Sequence, residues 1–245
     1  MALFESEALV LKTYNLADAD KIVVFLTQDR GLFRGVAKGA KRLKSKFGGG
    51  LEPLSVVQIS YFQKEERELV SIQQIELIRS YFVIASDPDF LKTFSYLIDL
   101  IIEFAPPHEP NERLFKMASA CLQSSFKTNE DLEALRFYFE YWLLKLGGYL
   151  PDWHTCGVCR REIDDFETVD LRIDFDIVCR KCESGRKNTT VAADSRRLFN
   201  IAQKISPDRF IEHGSERIGD LRNISGILPK IVSRILDKEV SSPAV

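Results

Sequence analysis

No stretch of this 245-residue chain reaches the roughly 18 consecutive apolar residues that a membrane-spanning helix needs. Met1 to Glu7 offers neither the basic start nor the apolar core of a secretory leader. A cytoplasmic protein is therefore expected. There is no Gly-x-x-x-x-Gly-Lys-Ser/Thr, although glycines and lysines crowd together around Gly31 to Lys41, so a nucleotide-hydrolysing phosphate loop is not supported. Gly-x-Gly-x-x-Gly is also absent. Only three histidines occur, His108, His154 and His213, and none lies beside a plausible nucleophile. His108 falls in a linker from Pro106 to Pro110 and His213 in an expected turn. Asp18 and Asp20 read better as the end of a hairpin that orients neighbouring lysines than as an acid–base pair. No catalytic constellation emerges, and the chain is not expected to be an enzyme.

What is present is concentrated. From Arg30 to Lys46 there are seven basic residues (Arg30, Arg34, Lys38, Lys41, Arg42, Lys44 and Lys46) and no acid, while the whole chain has a formal net charge of -2. Gly31, Gly35, Gly39 and Gly48 to Gly50 are interleaved with them, which suggests a flexible cationic loop. Positive charge localised against an acidic background points to a polyanionic partner. The plain alternative is a solvated loop that serves solubility. From Ser86 to Glu140 the balance reverses, with ten acidic and five basic residues, so nucleic acid is expected to approach the front of the chain.

Residues 1 to 81 read as five short strands, namely Ala8 to Tyr14, Lys21 to Thr27, Leu32 to Ala37, Leu54 to Gln63 and Leu69 to about Arg79. The apolar parity of the fifth slips between Ile72 and Ile75, as a bulge that helps close a small barrel would produce. Beyond Pro88 the period becomes helical. One helix is expected with Asp87 as N-cap, a second from Asn111 to Phe126, and a third from Asp131 to Leu146 ended by Gly147 and Gly148. Two more patterns cover Ala192 to Ile205 and Ser215 to Lys238, the latter expected to kink or divide at Pro229. The implied division is 1–81 barrel, 82–150 helical domain, 151–190 cysteine module and 191–245 helices completing the helical domain.

Five cysteines, four of them in two close pairs, argue for metal in a reducing compartment. Cys156, Cys159, Cys179 and Cys182 form two Cys-x-x-Cys units with 19 residues between them, enough for a hairpin from Thr168 to Val178. Four thiolates fill a tetrahedral shell and leave no place for water, so one structural Zn2+ is expected rather than a catalytic ion. Gly157 and Gly185 are expected to free the turns, and His154 is the rival fourth ligand. Cys121 sits at helical spacing among Leu114, Ala118 and Leu122 and reads as a buried core thiol.

Three runs resemble the RecO family of bacterial recombination mediators. They are Ala8-Leu9-Val10-Leu11-Lys12 followed by Asp18-Ala19-Asp20-Lys21-Ile22-Val23; Gly35-Val36-Ala37-Lys38-Gly39-Ala40-Lys41-Arg42 leading through Ser45-Lys46-Phe47-Gly48-Gly49 to Leu51-Glu52-Pro53-Leu54; and Leu146-Gly147-Gly148-Tyr149-Leu150-Pro151 before the cysteines. The resemblance implies an α+β multidomain protein: an N-terminal five-stranded OB-fold β-barrel, then a mostly helical domain with an inserted four-cysteine zinc module. It further implies binding to single- and double-stranded DNA, annealing of complementary strands, and, with RecR, loading of RecA onto DNA coated by single-strand binding protein, in the nucleoid. The tail of that coating protein is expected on the helical domain; Arg113, Lys116 and Arg136 are candidates for it, each reading equally as a solvated helix face, and the pocket stays unassigned.

The residues themselves agree with an OB-type nucleic-acid binder. Lys38, Lys41, Arg42, Lys44 and Lys46 are the expected phosphate contacts, with Arg34 extending the surface along a strand. Phe33, Phe47 and Tyr61 are candidates for base stacking or for core. Alternatives left open are an OB-fold RNA- or ribosome-associated protein with a structural zinc, a zinc enzyme, and an interaction scaffold.

Overall fold

The computed structural model describes residues 2–63, 69–81, 87–183 and 188–237. By their internal contacts the residues fall into two compact units, Met1–Gln123 and Ser124–Val245.

In the first unit, β1 (Ala2–Leu16), β2 (Asp20–Thr27), β3 (Gly31–Ala37), β4 (Ser55–Gln63) and β5 (Leu69–Ser80) close a barrel in the order β1-β2-β3-β5-β4. All neighbours are antiparallel except β3 and β5. This order and closure are those of the OB-fold. The barrel interior is filled by Val10, Val23, Phe25, Phe33, Phe47, Val57, Ile59, Tyr61 and Ile72, all buried. The parity slip in β5 is a bulge: Ser60 faces Gln74 but Tyr61 faces Ile72, so Gln73 is the extra residue. β1 begins six residues earlier than its apolar pattern suggests, because Ala2 to Glu7 pair with the far end of β4. Backbone pairing alone, with alternate side chains exposed, extends that strand.

Helix α1 (Pro88–Phe104) starts where Asp87 accepts the N–H groups of Asp89 and Phe90, with Pro88 at the first position. It buries Phe90, Phe94, Leu97, Ile98 and Ile101 but leaves Leu91 exposed. Helix α2 (Glu112–Gln123) buries Leu114, Ala118 and Cys121, confirming the last as a core thiol. Leu9, Leu11, Leu26 and Leu32, on the outer side of the barrel, are buried as well. Gly31 closes the β2–β3 turn with φ 74°, and its missing Cβ lets the carbonyl of Glu109 come close.

The second unit is built around α3 (Asn129–Leu146), which touches α4 (Ala193–Ala202), α5 (Pro207–Glu216), α6 (Ile218–Ser225) and α7 (Ile227–Ile235). Residues 132–141 of α3 are buried on every side, as a central helix must be. A Thr128–Asp131 capping box starts it two residues before the expected position. The last expected helix is divided, its first two residues ending α5 and the rest forming α6 and α7. It breaks at Arg217 and Gly226, and Pro229 lies inside the first turn of α7, where an N–H has no intrahelical acceptor to lose. Ser206-Pro207 starts α5, which the apolar period did not reveal, and His213 lies within that helix instead of a turn. Between α3 and α4 a small sheet of order β7-β6-β8 joins β6 (Val169–Leu171), β7 (Ile177–Cys179) and β8 (Thr189–Val191).

Candidate functional site

The basic segment becomes the connection from β3 to β4. Lys38, Lys41, Arg42, Lys44 and Lys46 are all exposed, on successive turns. The connection is pinned, not slack. The N–H of Gly39 (φ 72°) donates to Oδ1 of Asp20 at 2.8 Å, and the N–H of Lys41 donates to the carbonyl of Ala19 at 2.9 Å. Arg42 and Ser45 close further turns on Gly39 and Arg42, at 3.1 and 3.0 Å. Phe47 is buried in the barrel, and Thr13 Oγ1 donates to the carbonyl of Leu51 at 2.7 Å. A flexible loop was expected; the backbone instead finds partners at both ends, since the barrel rim supplies acceptors that the sequence does not announce. Asp20 thus serves the loop, as the hairpin reading of that acid expected.

Arg34 projects from the outer face of β3, in one cross-strand row with Val24 and Lys12. It lines a cavity of about 580 Å³ with Ile102, Glu103, Phe104, Pro107 and His108. Lys12 is tied to Asp99 by a salt bridge, which is the first cause of its raised pKa. Arg30 stands apart: the length of β3, roughly 25 Å to Lys38, separates it from the loop, and its guanidinium lies 3.7 Å from the centre of the Phe4 ring. The seven cations of the sequence are therefore not one patch. Phe33, Phe47 and Tyr61 are 3%, 3% and 0% exposed and belong to the barrel core, so none of them presents a face to a base. Of the three basic residues named for a tail-binding notch, Arg113 and Lys116 are exposed on α2, whereas Arg136 is buried on α3 within 4.0 Å of Glu140.

The four cysteines converge as their spacing requires. Their Sγ atoms all lie within 4.8 Å of one another, and those of Cys159 and Cys179 are 3.9 Å apart. Four ligands at about 2.3 Å around a tetrahedral ion stand about 3.8 Å apart, so the cluster fits a metal ion. Burial pushes the Cys156 thiol up, but N–H groups of Cys159, Cys179 and Val158 hydrogen-bond its sulfur, outweigh burial and bring it down to about 6. Cys182, hydrogen-bonded to the sulfurs of Cys159 and Cys179, is pushed up to about 12. Thiolates packed this closely repel one another, and a cation resolves the conflict. Gly157 does not adopt positive φ. Arg160, just after the first pair, takes the left-handed conformation at φ 60°, and the absent Cβ of Gly157 makes room for Asp176. Gly185 lies outside the described residues. His154 is exposed and takes no part in the cluster.

One important residue had no signal in the sequence. Arg196, on α4, is fully buried and donates from Nη1 to the carbonyl of Trp153 at 2.8 Å and from Nη2 to that of Asp164. Trp153 stacks on Phe199 at 4.1 Å, and Asn200 Nδ2 donates to Asp165 at 3.0 Å. Arg197 adds its guanidinium over the Phe166 ring at 5.1 Å, so among the described residues two arginines, one ring pair and one amide of α4 hold the cysteine module. A lone basic residue in an amphipathic helix reads as surface until its acceptors are located.

Comparison with known proteins accounts for both units. Residues 1–81 match the family model described as Recombination protein O N terminal, an OB-fold domain, and residues 85–222 match Recombination protein O C terminal. A DNA repair protein RecO of Koribacter versatilis is 30% identical over 240 residues, 97% of this chain and 96% of that one. Those of Thermodesulfovibrio yellowstonii and Clostridium novyi are 34% and 31% identical over 182 and 183 residues, covering 74% and 75% of this chain and 70% of each relative. With the barrel, the cysteine module and the bundle as far as residue 222 inside the matched ranges, and 97% of the chain aligned to one relative at 30% identity, the chain belongs to the RecO family of DNA repair proteins.

Proposed function

We propose that this protein binds single- and double-stranded DNA without reading sequence, brings complementary strands together, and, with RecR, helps load RecA onto DNA coated by single-strand binding protein. The observation that carries this reading is the run of five exposed cations, Lys38, Lys41, Arg42, Lys44 and Lys46, on pinned turns at the barrel rim. Five positive side chains held by the backbone lower the repulsion between two phosphate chains, and phosphate contacts position a strand without specifying its bases. Arg34 extends the contact along β3. The role is one of binding without turnover, in the cytoplasm at the nucleoid. One Zn2+ on Cys156, Cys159, Cys179 and Cys182 holds the module in shape.

Salt dependence tests the central claim. With four or five phosphate contacts to single-stranded DNA, log affinity falls with log salt at a slope of about -3. Replacing Lys38, Lys41, Arg42 and Lys44 by alanine reduces that slope to well under half and slows annealing of complementary oligonucleotides. An unchanged slope removes the loop from the interface, and preference for RNA in competition with DNA of equal length shifts the reading to an RNA-binding protein.

A further inference from the structure

Since the three aromatics suggested by the sequence are core, base contact must come from elsewhere if strands are held by more than charge. In the first unit the only exposed aromatic side chain among the described residues is Tyr14, 51% accessible. It stands on the outer face of β1 in one cross-strand row with Ile22 and Val36. The adjacent row on that face is Lys12, Val24 and Arg34. Two strand spacings and one two-residue step put Tyr14 about 12 Å from Arg34. On its other side the chain runs into Ala17 and Ala19, whose carbonyls accept Lys41 Nζ at 3.4 Å and Lys41 N–H at 2.9 Å. Tyr14 therefore lies between Arg34 and the root of the cationic loop.

A second exposed side chain, the aliphatic Leu43, stands in the cationic loop itself. It is completely exposed, at 103%, and is flanked by Lys41 and Arg42 on one side and by Lys44 and Lys46 on the other. Arg42 closes one turn on Gly39, and Leu43 lies within the next, closed by the N–H of Ser45 on the carbonyl of Arg42, so the backbone that carries the side chain is hydrogen-bonded. An apolar group held out among four cations has the form of a wedge that enters a base stack while the cations hold the phosphates. Tyrosine on a cationic sheet supplies a flat face that accepts any base.

We infer that Tyr14 and Leu43 contact the bases of a single nucleic-acid strand, Tyr14 by stacking and Leu43 by wedging between neighbours, while Arg34 and the loop cations take the phosphates. This inference rests on the DNA-binding reading above and adds base contact to it. Charge complementarity commits the surface to nucleic acid, and because stacking and wedging touch no base edge the contact is independent of sequence.

The test compares two probes, an ordinary oligonucleotide and one of the same length whose sugars carry no bases, against the full chain. The wild-type protein binds the ordinary strand ~10-fold or more tighter than the abasic one. Tyr14→Ala and Leu43→Ala each lose several-fold on the ordinary strand, nothing on the abasic strand, and keep the salt slope; Tyr14→Phe restores the stacking. In addition, 2-aminopurine in the bound strand brightens with wild type, as unstacking requires, and less so with Leu43→Ala. Both side chains are exposed, so the variants fold. Equal affinity of wild type and variants for the ordinary strand overturns the inference, as does equal loss on both strands. Failure of wild type to bind either strand overturns the DNA-binding reading instead.

Discussion

Tyr61 is fully buried in the barrel, beside Phe4, Phe25 and Phe33, and its hydroxyl has no hydrogen-bond partner among the described residues. Burial pushes its pKa up to about 12, with Arg30 acting in the opposite direction. The fold therefore favours the neutral phenol. Because the folded value lies above the ordinary 10.0, the linked stability is fully present below pH 10 and is lost as pH rises from 10 towards 12. A shift of this size corresponds to about 3 kcal/mol. Tyr141, raised to about 12 by burial in the second unit, behaves alike there. Tyr61→Phe is expected to match or exceed wild-type stability at neutral pH by up to about 1 kcal/mol, since an unpaired hydroxyl is removed. Urea unfolding followed by circular dichroism from neutral to alkaline pH should show a shallower loss in the variant. An equally steep loss would mean that another group in the barrel governs it. The sequence placed Tyr61 on a barrel strand as a candidate for stacking or for core; whether it faced inward or out to a base depended on which side of the sheet closed on itself.

At the level of elements, α4 is short, uncapped by any side chain, and carries the side-chain contacts to the cysteine module described above. Its buried Arg196 has two carbonyl acceptors and, among the described residues, no carboxylate bonded to it. Burial lowers its pKa, with Asp165, Glu167 and Asp164 opposing the loss at longer range. Arg196→Leu strands two carbonyls in the interior and is expected to cost about 3 kcal/mol. It should also shift the fluorescence of Trp153 and speed metal loss to a chelator, whereas Arg196→Lys keeps one bond and recovers part of the loss. Unchanged metal retention in Arg196→Leu would assign the attachment to the Trp153–Phe199 stack. Helix existence was legible here from Leu198, Phe199 and Ala202, and so was the pairing of the cysteines. β8 and α5 were not, being three residues of strand and ten of helix whose apolar positions make sense only against the partners they meet.

For the whole molecule, the division into Met1–Gln123 and Ser124–Val245 puts the cationic loop and the cysteine cluster in different units. Structural zinc in such sites is worth on the order of 10 kcal/mol of apparent binding free energy. Its removal is expected to loosen the second unit and to leave the barrel folded. Chelation should change tryptophan fluorescence, since Trp142 and Trp153 both lie beyond residue 123, while the salt slope for single-stranded DNA stays near its starting value. Parallel loss of both signals would show that the units unfold together. The formal charge of -2 hides this arrangement, because opposite charges in separate parts of the chain cancel in a sum.

Sequence alone determined the five barrel strands, the bulge in β5, the cap at Asp87, the buried thiol at Cys121 and the four converging cysteines. Each is a local matter of alternation, capping or spacing, settled by residues a few positions apart. Only the tertiary structure decided that Arg30 leaves the patch, that Arg136 and Arg196 are buried, that Phe33, Phe47 and Tyr61 are core, and that Tyr14 and Leu43 stay exposed. Those outcomes depend on which segments meet across the chain. A side chain's chemistry is written in the sequence, but its access to solvent or to a strand of DNA is set by whatever the fold places over it.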